Sequence, residues 1–401
     1  MEYSKERIFS KIASMGMLPR VIAAILLGLL FSLFLPQWAV RIFITFNSIF
    51  SNFLSLFIPL LILGLIAPGI AELGKGAGRL LLLTLLLAYG STVLAGLFSF
   101  EICSLTYPSL LGDSLASLGN IDLDGGPAPY FTIEMPPFMS VMSALVSAFM
   151  LGLASVSIKG HALRDFLFDF RDVVYAVIGK VIIPLLPLYI FGIFLEMAFS
   201  GKVGPVMGMF IKIILIIFAM HVTFLVLQFC IAGAVSRRNP FKALATMLPA
   251  YLTALGTQSS AATIPVTLMQ TKRNGVRPQI AEFTVPLCAT IHLSCSILKI
   301  VACAYAISLS MGMPSDFGTY VGFILMLGIT MVAAPGVPGG AIMASLGLLA
   351  SMLGFDVQMQ GLMIALYIAM DSFGTAGNVT GDGAISMIVD KIATNKSYVN
   401  V

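Results

Sequence analysis

Residues 240–271 read PFKALATMLPAYLTALGTQSSAATIPVTLMQT, and this stretch decides the fold. It is apolar toward both ends and interrupted at its middle by GTQSSAAT, residues 256–263. Each half carries about 10–16 apolar residues, short of the about 20 that a membrane-crossing helix needs. Irregular, polar backbone at membrane depth survives only where it is buried in protein or lines a cavity. The stretch therefore predicts a re-entrant helical hairpin. Residues 318–353 have the same build, interrupted by AAPGVPGG at 333–340. Two ordinary helices kinked at Pro or Gly are the alternative, but kinked helices rarely carry a run as polar as TQSS.

The surrounding chain fits a membrane setting. Of its 401 residues, 59% are hydrophobic and 10% are charged, whereas soluble domains carry about 25% charged residues. Such a surface cannot face water all round, so most of it faces lipid. The net charge of +4 is too small to point to nucleic acid. The five cysteines sit almost entirely inside apolar runs, which argues against a disulfide framework or a metal cluster and for small core residues. The run 21–39 ends without a small-residue cleavage site and reads as a first span rather than a signal peptide.

Long apolar runs predict spans at 21–39, 44–70, 79–103, 138–158, 173–199 and 205–235, and two more at 279–308 and 357–389, each after one hairpin. The positive-inside rule orients them. Lys5, Arg7, Lys11 and Arg20 put the N-terminus in the cytoplasm, and Lys75 and Arg79 return the chain there. Asp113, Asp122, Asp124 and Glu134 mark an outside loop. Lys159, Arg164, Arg171, Arg237, Arg238 and Lys242 lie inside again, and Lys391 and Lys396 close the chain inside. Lys272, Arg273 and Arg277 put the first hairpin on the cytoplasmic side; the second, flanked by Asp316 and Asp356, dips in from outside. The fold class is thus an all-α membrane protein of eight transmembrane helices and two opposed re-entrant hairpins. Its inverted repeat and paired broken segments point to a transporter's binding site.

The last span contains MDSFGTAGNVTGD, in which Asp371, Thr375, Asn378 and Asp382 fall at i, i+4, i+7 and i+11, along one helix face. A carboxylate at the bilayer centre costs about 2.5–3.5 kcal/mol on insertion scales, so two on one stripe demand a cation, a protonated partner or a wet cavity. Interhelical hydrogen bonding accounts for Thr375 and Asn378 but poorly for the carboxylates. His292, Ser296 and Lys299 lie at i, i+4 and i+7 of the preceding full span. Lys299 is deep, and a buried lysine must be neutral or paired; a carboxylate of the last span is the expected partner, snorkelling the bland alternative. A lone His292 is more often a satisfied core residue than a ligand. Hydroxyls such as Ser91 and Thr92 usually bond back to their own helix.

Together these residues resemble the dicarboxylate/amino acid:cation symporters, which include the glutamate transporters. SRRNPFKALATMLPAYLTALGTQSSAATIPVT is similar to the family's first hairpin and its approach, PLCATI to the start of the seventh helix, GVPGGAIM to the second hairpin tip and TAGNVTGD to the eighth-helix signature. The resemblance implies a homotrimer working as an elevator: scaffold helices in 1–78 and 138–204, helix 3 with an outer loop in 79–137, and a transport domain in 205–401. It implies a substrate site of Ser259, Ser260, Ser296, Asp371, Thr375 and Asn378. Asp371 takes an amino group, and Val337, Pro338 and Gly339 form the outer gate. It implies a cation set of Ser91, Thr92, His292, Ser294, Asn378 and Asp382, with no resident cofactor, a small-molecule substrate, and a place in the cell (inner) membrane.

The departures narrow this reading. The family's arginine for an acidic side chain is Gly374 here, which argues against glutamate, aspartate or dicarboxylates unless Lys299 substitutes. SSAATIPV and D-S-x-x-T-A-x-N resemble the serine/threonine:sodium branch, so serine, threonine and alanine are the expected substrates. The seventh-helix aspartate is Ser294, which weakens a sodium site, and a further eighth-helix aspartate is Tyr367. Lys299 becomes a coupling candidate, a built-in cation facing Asp382. These changes imply fewer sodium ions, or protons coupled through His292 and a carboxylate. An acidic amino acid or dicarboxylate carrier is the runner-up. An intramembrane hydrolase with Ser259 as nucleophile lacks a nucleophile elbow. A passive channel would need no amine-binding Asp371, and an inactive relative is the remaining alternative.

Overall fold

The computed structural model describes residues 17–73, 79–119, 127–199, 203–332, 334 and 339–395. The described residues form helices and connecting turns, with no strand among them. In chain order the helices are α1 Met17–Phe31, α2 Gln37–Leu73, α3 Arg79–Gly119, α4 Val141–Ser157, α5 Ala162–Val177 and α6 Ile183–Phe199. Then come α7 Val203–Ser236, α8 Pro240–Thr246, α9 Leu248–Thr257, α10 Ser260–Arg273, α11 Pro278–Ile291 and α12 Ser294–Ser310. The last four are α13 Phe317–Val332, α14 Gly340–Leu353, α15 Val357–Ala369 and α16 Asp371–Asn395. A π-helical turn, Ile178–Ile182, joins α5 to α6 without breaking the rod.

Among the described residues, five stretches are long and apolar enough to cross a membrane: Gln37–Gly69, Leu80–Leu110, Ala162–Phe199, Gly208–Ser236 and Pro278–Ser310. The pair α15–α16, bent by 62°, makes a sixth if counted as one span. Apolar residues face outward on them; Ile211, Leu215, Phe218 and Val222 of α7 are exposed at spacings of one turn. A surface of this kind is stable against lipid and not against water.

One expected span is corrected, and two others carry a break within them. Residues 21–39 do not form one helix: α1 ends at Phe31, and Pro36, which has no amide to donate, separates it from α2. The stretch 279–308 is interrupted at His292 and Leu293, whose backbone leaves the helical region (φ/ψ −108/91 and −115/44). The stretch 357–389 breaks at Met370. Lys5, Arg7, Lys11, Lys75, Asp122, Asp124, Val337, Pro338 and Lys396 lie outside the described residues.

The helices pack in two groups. α2 lies against α4, α5 and α6, and α1 against α6. α3 and α7 to α16 form the other group, with α12 at its centre, packed on α3, α7, α13, α15 and α16. All of α12 but Leu309 is buried. The groups meet where α14 touches α2 and α4, α15 touches α1 and α6, α13 touches α2, and α7 touches α6. A strap at 127–139 runs along α2. Arg41 Nε donates to the Ala128 carbonyl (2.9 Å), the Tyr130 amide to Thr45 Oγ1 (2.9 Å), and Asn52 Nδ2 to the Ile133 carbonyl (2.7 Å).

The first interrupted stretch folds as two packed helices, α9 and α10, joined at Gln258 and Ser259. Gln258 ends α9 in the left-handed region (φ +53°). Ser259 caps α10, its Oγ accepting from the Ala262 amide at 3.3 Å. The second folds as α13 and α14, also packed together.

Candidate functional site

The site is built where the break between α11 and α12 crosses α16. The two helices run antiparallel, and three polar rungs connect them: Lys299 to Asp371, Cys295 and Ser296 to Asn378, and His292 to Asp382. Close approach is possible because α16 presents glycines at i, i+3 and i+7. A Cβ on Gly377 would lie 2.4 Å from Cys295 Sγ, and one on Gly381 2.8 Å from His292 Cε1 and from Gln228 Oε1. Small residues at a helix interface serve this purpose in lipid.

At the first rung, Lys299 Nζ donates to Asp371 Oδ1 at 2.8 Å. Lys299 is 0% exposed and Asp371 4%. The ammonium also sits over the Tyr367 ring, 3.4 Å from its centroid, within range of a cation–π contact. Asp371 Oδ2 accepts the Gly339 amide at 2.7 Å. Gly339 begins the turn into α14 with φ +74°, a conformation that glycine adopts at little cost. Both oxygens of Asp371 thus have partners. Lys299 has its space because residue 374 has no side chain: a Cβ there would lie 2.7 Å from Nζ and 3.0 Å from Cε. This corrects one expectation. Lys299 pairs with Asp371 and not with Asp382, because it lies near the middle of α12, opposite the N-terminal end of α16.

At the second rung, Asn378 supplies a cap that α12 lacks. Leu293, at the N-cap position, offers no side-chain acceptor. Asn378 Oδ1 instead accepts from the amides of Cys295 (2.8 Å) and Ser296 (3.3 Å), two of the donors that a helix N-terminus leaves free. Its Nδ2 donates to Ser296 Oγ (2.9 Å), which also accepts from the Tyr367 hydroxyl (3.1 Å).

The third rung is a chain. His292 Nδ1 lies 2.9 Å from Asp382 Oδ1, and both residues are 1% exposed. On the other side of the ring, His292 Nε2 lies 3.1 Å from the Ser91 hydroxyl. Gln228 Nε2 donates to Ser91 Oγ (2.9 Å) and Ser294 Oγ (3.2 Å).

The remaining candidates fall around these rungs. Ser260 and Thr375 are buried, the first at the start of α10 and the second one turn along α16 from Asp371. The hairpin tip reaches α16 through Gln258 Nε2, which donates to Ser372 Oγ at 2.9 Å. Thr92 is buried, but its hydroxyl bonds back to the Ala88 carbonyl at 2.7 Å and so turns away from the chain of Ser91. Sequence reasoning missed Gln228 and His221 of α7; His221 Nε2 contacts the Cys295 carbonyl at 2.9 Å. Their signal was available: two strongly polar residues seven apart, hence on one face, in a 34-residue apolar helix.

Comparison with known proteins bears on the family of the chain. The sequence profile of the sodium:dicarboxylate symporter family matches residues 17–392. The chain is 27% identical over 391 residues to the serine/threonine transporter SstT of Acinetobacter baumannii strain AYE, covering 94% of this chain and 96% of the relative. The same figures hold for the serine/threonine transporter SstT of Acinetobacter baumannii strain SDF. The chain therefore belongs to the sodium:dicarboxylate symporter family, and it is a multi-pass membrane transporter rather than an enzyme.

Proposed function

We propose that the chain carries out cation-coupled symport of a small neutral amino acid, with serine, threonine and alanine as the substrates of choice. The observation that carries this is Asp371: a buried carboxylate that meets an ammonium, on a helix face shared with Thr375 and Asn378 and linked to the turn before α14 through Gly339. Ser259 and Ser260 of the first hairpin and Ser296 complete the set, with Val337, Pro338 and Gly339 as the outer gate. The serine/threonine transporters among its relatives support the neutral substrate. The absence of a side chain at Gly374 supports it too, since no guanidinium fork stands there to hold a second carboxylate.

Asp371→Asn is the test. It keeps the volume and removes the charge, and binding of L-serine or L-alanine falls by about 1.5–3 kcal/mol, the scale of a charge-assisted hydrogen bond. Unchanged binding in a thermal-shift titration of the purified protein would remove the amine-binding role of Asp371.

A second reading has one observation behind it. The Lys299 ammonium lies against Gly374, beside the position of the family's arginine. This supports an acidic amino acid or C4-dicarboxylate as substrate. Aspartate or succinate outcompeting serine in uptake would decide for it.

The coupled cation, sodium or a proton, is carried near Asp382, Asn378, Ser91 and Ser294, with Thr92 alongside. His292 on Asp382 fills space and hydrogen-bonding capacity there, which supports fewer sodium ions than an oxygen-only site would take. Uptake that strictly requires several sodium ions per substrate refutes this. The working machine is an elevator of eight spans and two opposed hairpins in the cell's inner membrane, with both termini cytoplasmic. The packing of α1, α2, α4, α5 and α6 as one group, and of α3 with α7 to α16 as another, supports a scaffold of residues 1–78 and 138–204 and a transport domain of 205–401 with helix 3 of 79–137. A homotrimer in native mass spectrometry is the expected assembly.

A further inference from the structure

We propose that Lys299 is a tethered counter-cation. Its ammonium fills the amine subsite of Asp371 when no substrate is bound, gives way to the substrate's own ammonium, and neutralises Asp371 while the empty carrier returns. The proposal rests on the reading of Asp371 as the amine-binding residue.

The geometry carries it in three steps. First, Asp371 already holds a cation: Oδ1 accepts from Lys299 at 2.8 Å, and Oδ2 accepts from the Gly339 amide at 2.7 Å. Each oxygen has a lone pair left, but two ammonium groups against one buried carboxylate repel each other, so substrate and Lys299 compete for its charge. Second, the ammonium is held by side chains of two other helices, α15 and α16, so its hold depends on how these sit against α12. Its Nζ has the Asp371 carboxylate and the Tyr367 ring as neighbours, and its stem lies over the bare backbone of Gly374. Third, a buried carboxylate without a cation is costly. A carrier that discharges an amino acid and returns empty would carry that cost across the membrane. Lys299 removes it, because the freed Asp371 is re-paired from within the same domain. The Gly339 amide on the other oxygen makes the same carboxylate a contact of the residues that lead into α14. The empty, lysine-paired state thus keeps this connection closed as well.

Occupation by Lys299 lowers the apparent affinity of a substrate ammonium by the fraction of time that Asp371 is free. Removing the lysine reverses this. Lys299→Met is expected to bind L-serine about ten-fold more tightly than the unchanged protein, measured by thermal shift on the detergent-purified carrier. In proteoliposomes the variant is expected to lose net uptake far more than exchange. Exchange of internal for external L-serine never requires the empty carrier to cross, whereas net uptake does. The ratio of net uptake to exchange is expected to fall at least about ten-fold. Lys299→Gln, which keeps a hydrogen-bond donor toward Asp371 without the charge, is tested beside it and carries the experiment if the Met variant fails to fold.

A merely structural lysine would depress binding, exchange and net uptake together, and that result overturns the proposal. Unchanged or weaker L-serine binding in both variants also overturns it. A protein with native Lys299 that binds succinate and no L-serine, L-threonine or L-alanine overturns the amino-acid reading, and the displacement falls with it. L-serine binding by that protein with no gain in either variant overturns the displacement alone.

Discussion

Asp371 and Asn378 stand seven residues apart on one helix, yet the structure uses them differently. Asp371 is a charge with two partners that belong to other elements, so its environment can change when those elements move. Asn378 is a bracket: it caps α12 and holds Ser296 in the same grip. Asn378→Ala is expected to cost about 2 kcal/mol of stability, the sum of a lost cap and a lost buried hydrogen bond. A fall in apparent Tm without substrate present is the readout. Gly374 makes a complementary prediction. A single methyl there would meet Lys299 Nζ at 2.7 Å. Gly374→Ala is therefore expected to push the lysine out of its place and to cost about 1–3 kcal/mol, again read from Tm. If Tm holds, the lysine has another position of equal quality.

Among the elements, α16 does the most to organise the site. Its far end is anchored by Asp390, whose Oδ1 accepts from Arg277 Nε at 2.7 Å and whose Oδ2 lies 3.7 Å from Arg238. Arg238 in turn donates to the carbonyls of Asn274 and Gly275, between α10 and α11. One carboxylate thereby fastens the ends of α7, α10 and α16 and the start of α11. Both arginines are about one-third exposed, so water screens the pairs. Asp390→Ala is expected to cost on the order of 1 kcal/mol and to raise the rate of proteolysis around residues 237–239 and 274–277. Unaltered cleavage there would show that the helix ends are held by packing alone.

For the whole molecule, the exposed stripe Ile211, Leu215, Phe218 and Val222 implies that this side of α7 faces acyl chains. A spin label at a cysteine replacing Leu215 is expected to be relaxed by oxygen and protected from a water-soluble nickel chelate, the opposite of a label in an aqueous cavity. The mirror-image expectation holds for α12. All of it but Leu309 is buried, so a label at any other position along it is expected to disturb the fold. The two helix groups meet through α7, α13, α14 and α15 against α1, α2, α4 and α6.

Much of this was legible beforehand because it depends on local rules. Apolar run length made the membrane class readable, and the interruptions, polar in GTQSSAAT and Gly/Pro-rich in AAPGVPGG, marked where the helix pairs α9–α10 and α13–α14 divide. The stripe of Asp371, Thr375, Asn378 and Asp382 followed from helical period alone. The breaks at 292–293 and 370 were not readable, because the polar residues beside them, His292, Ser294, Asp371 and Ser372, fit a continuous helix with a polar face equally well. Gln228 stayed hidden for the same reason: its worth lies in reaching Ser91 and Ser294 on two other helices. Pairing was beyond sequence altogether. Lys299 meets Asp371 across 72 residues and His292 meets Asp382 across 90. Which cation finds which carboxylate depends on the antiparallel register of α12 against α16. Glycines of one helix set that register, making room for side chains of the other. By itself the sequence determined a membrane carrier with two carboxylates on one face; only the tertiary crossing decided that each already has a partner.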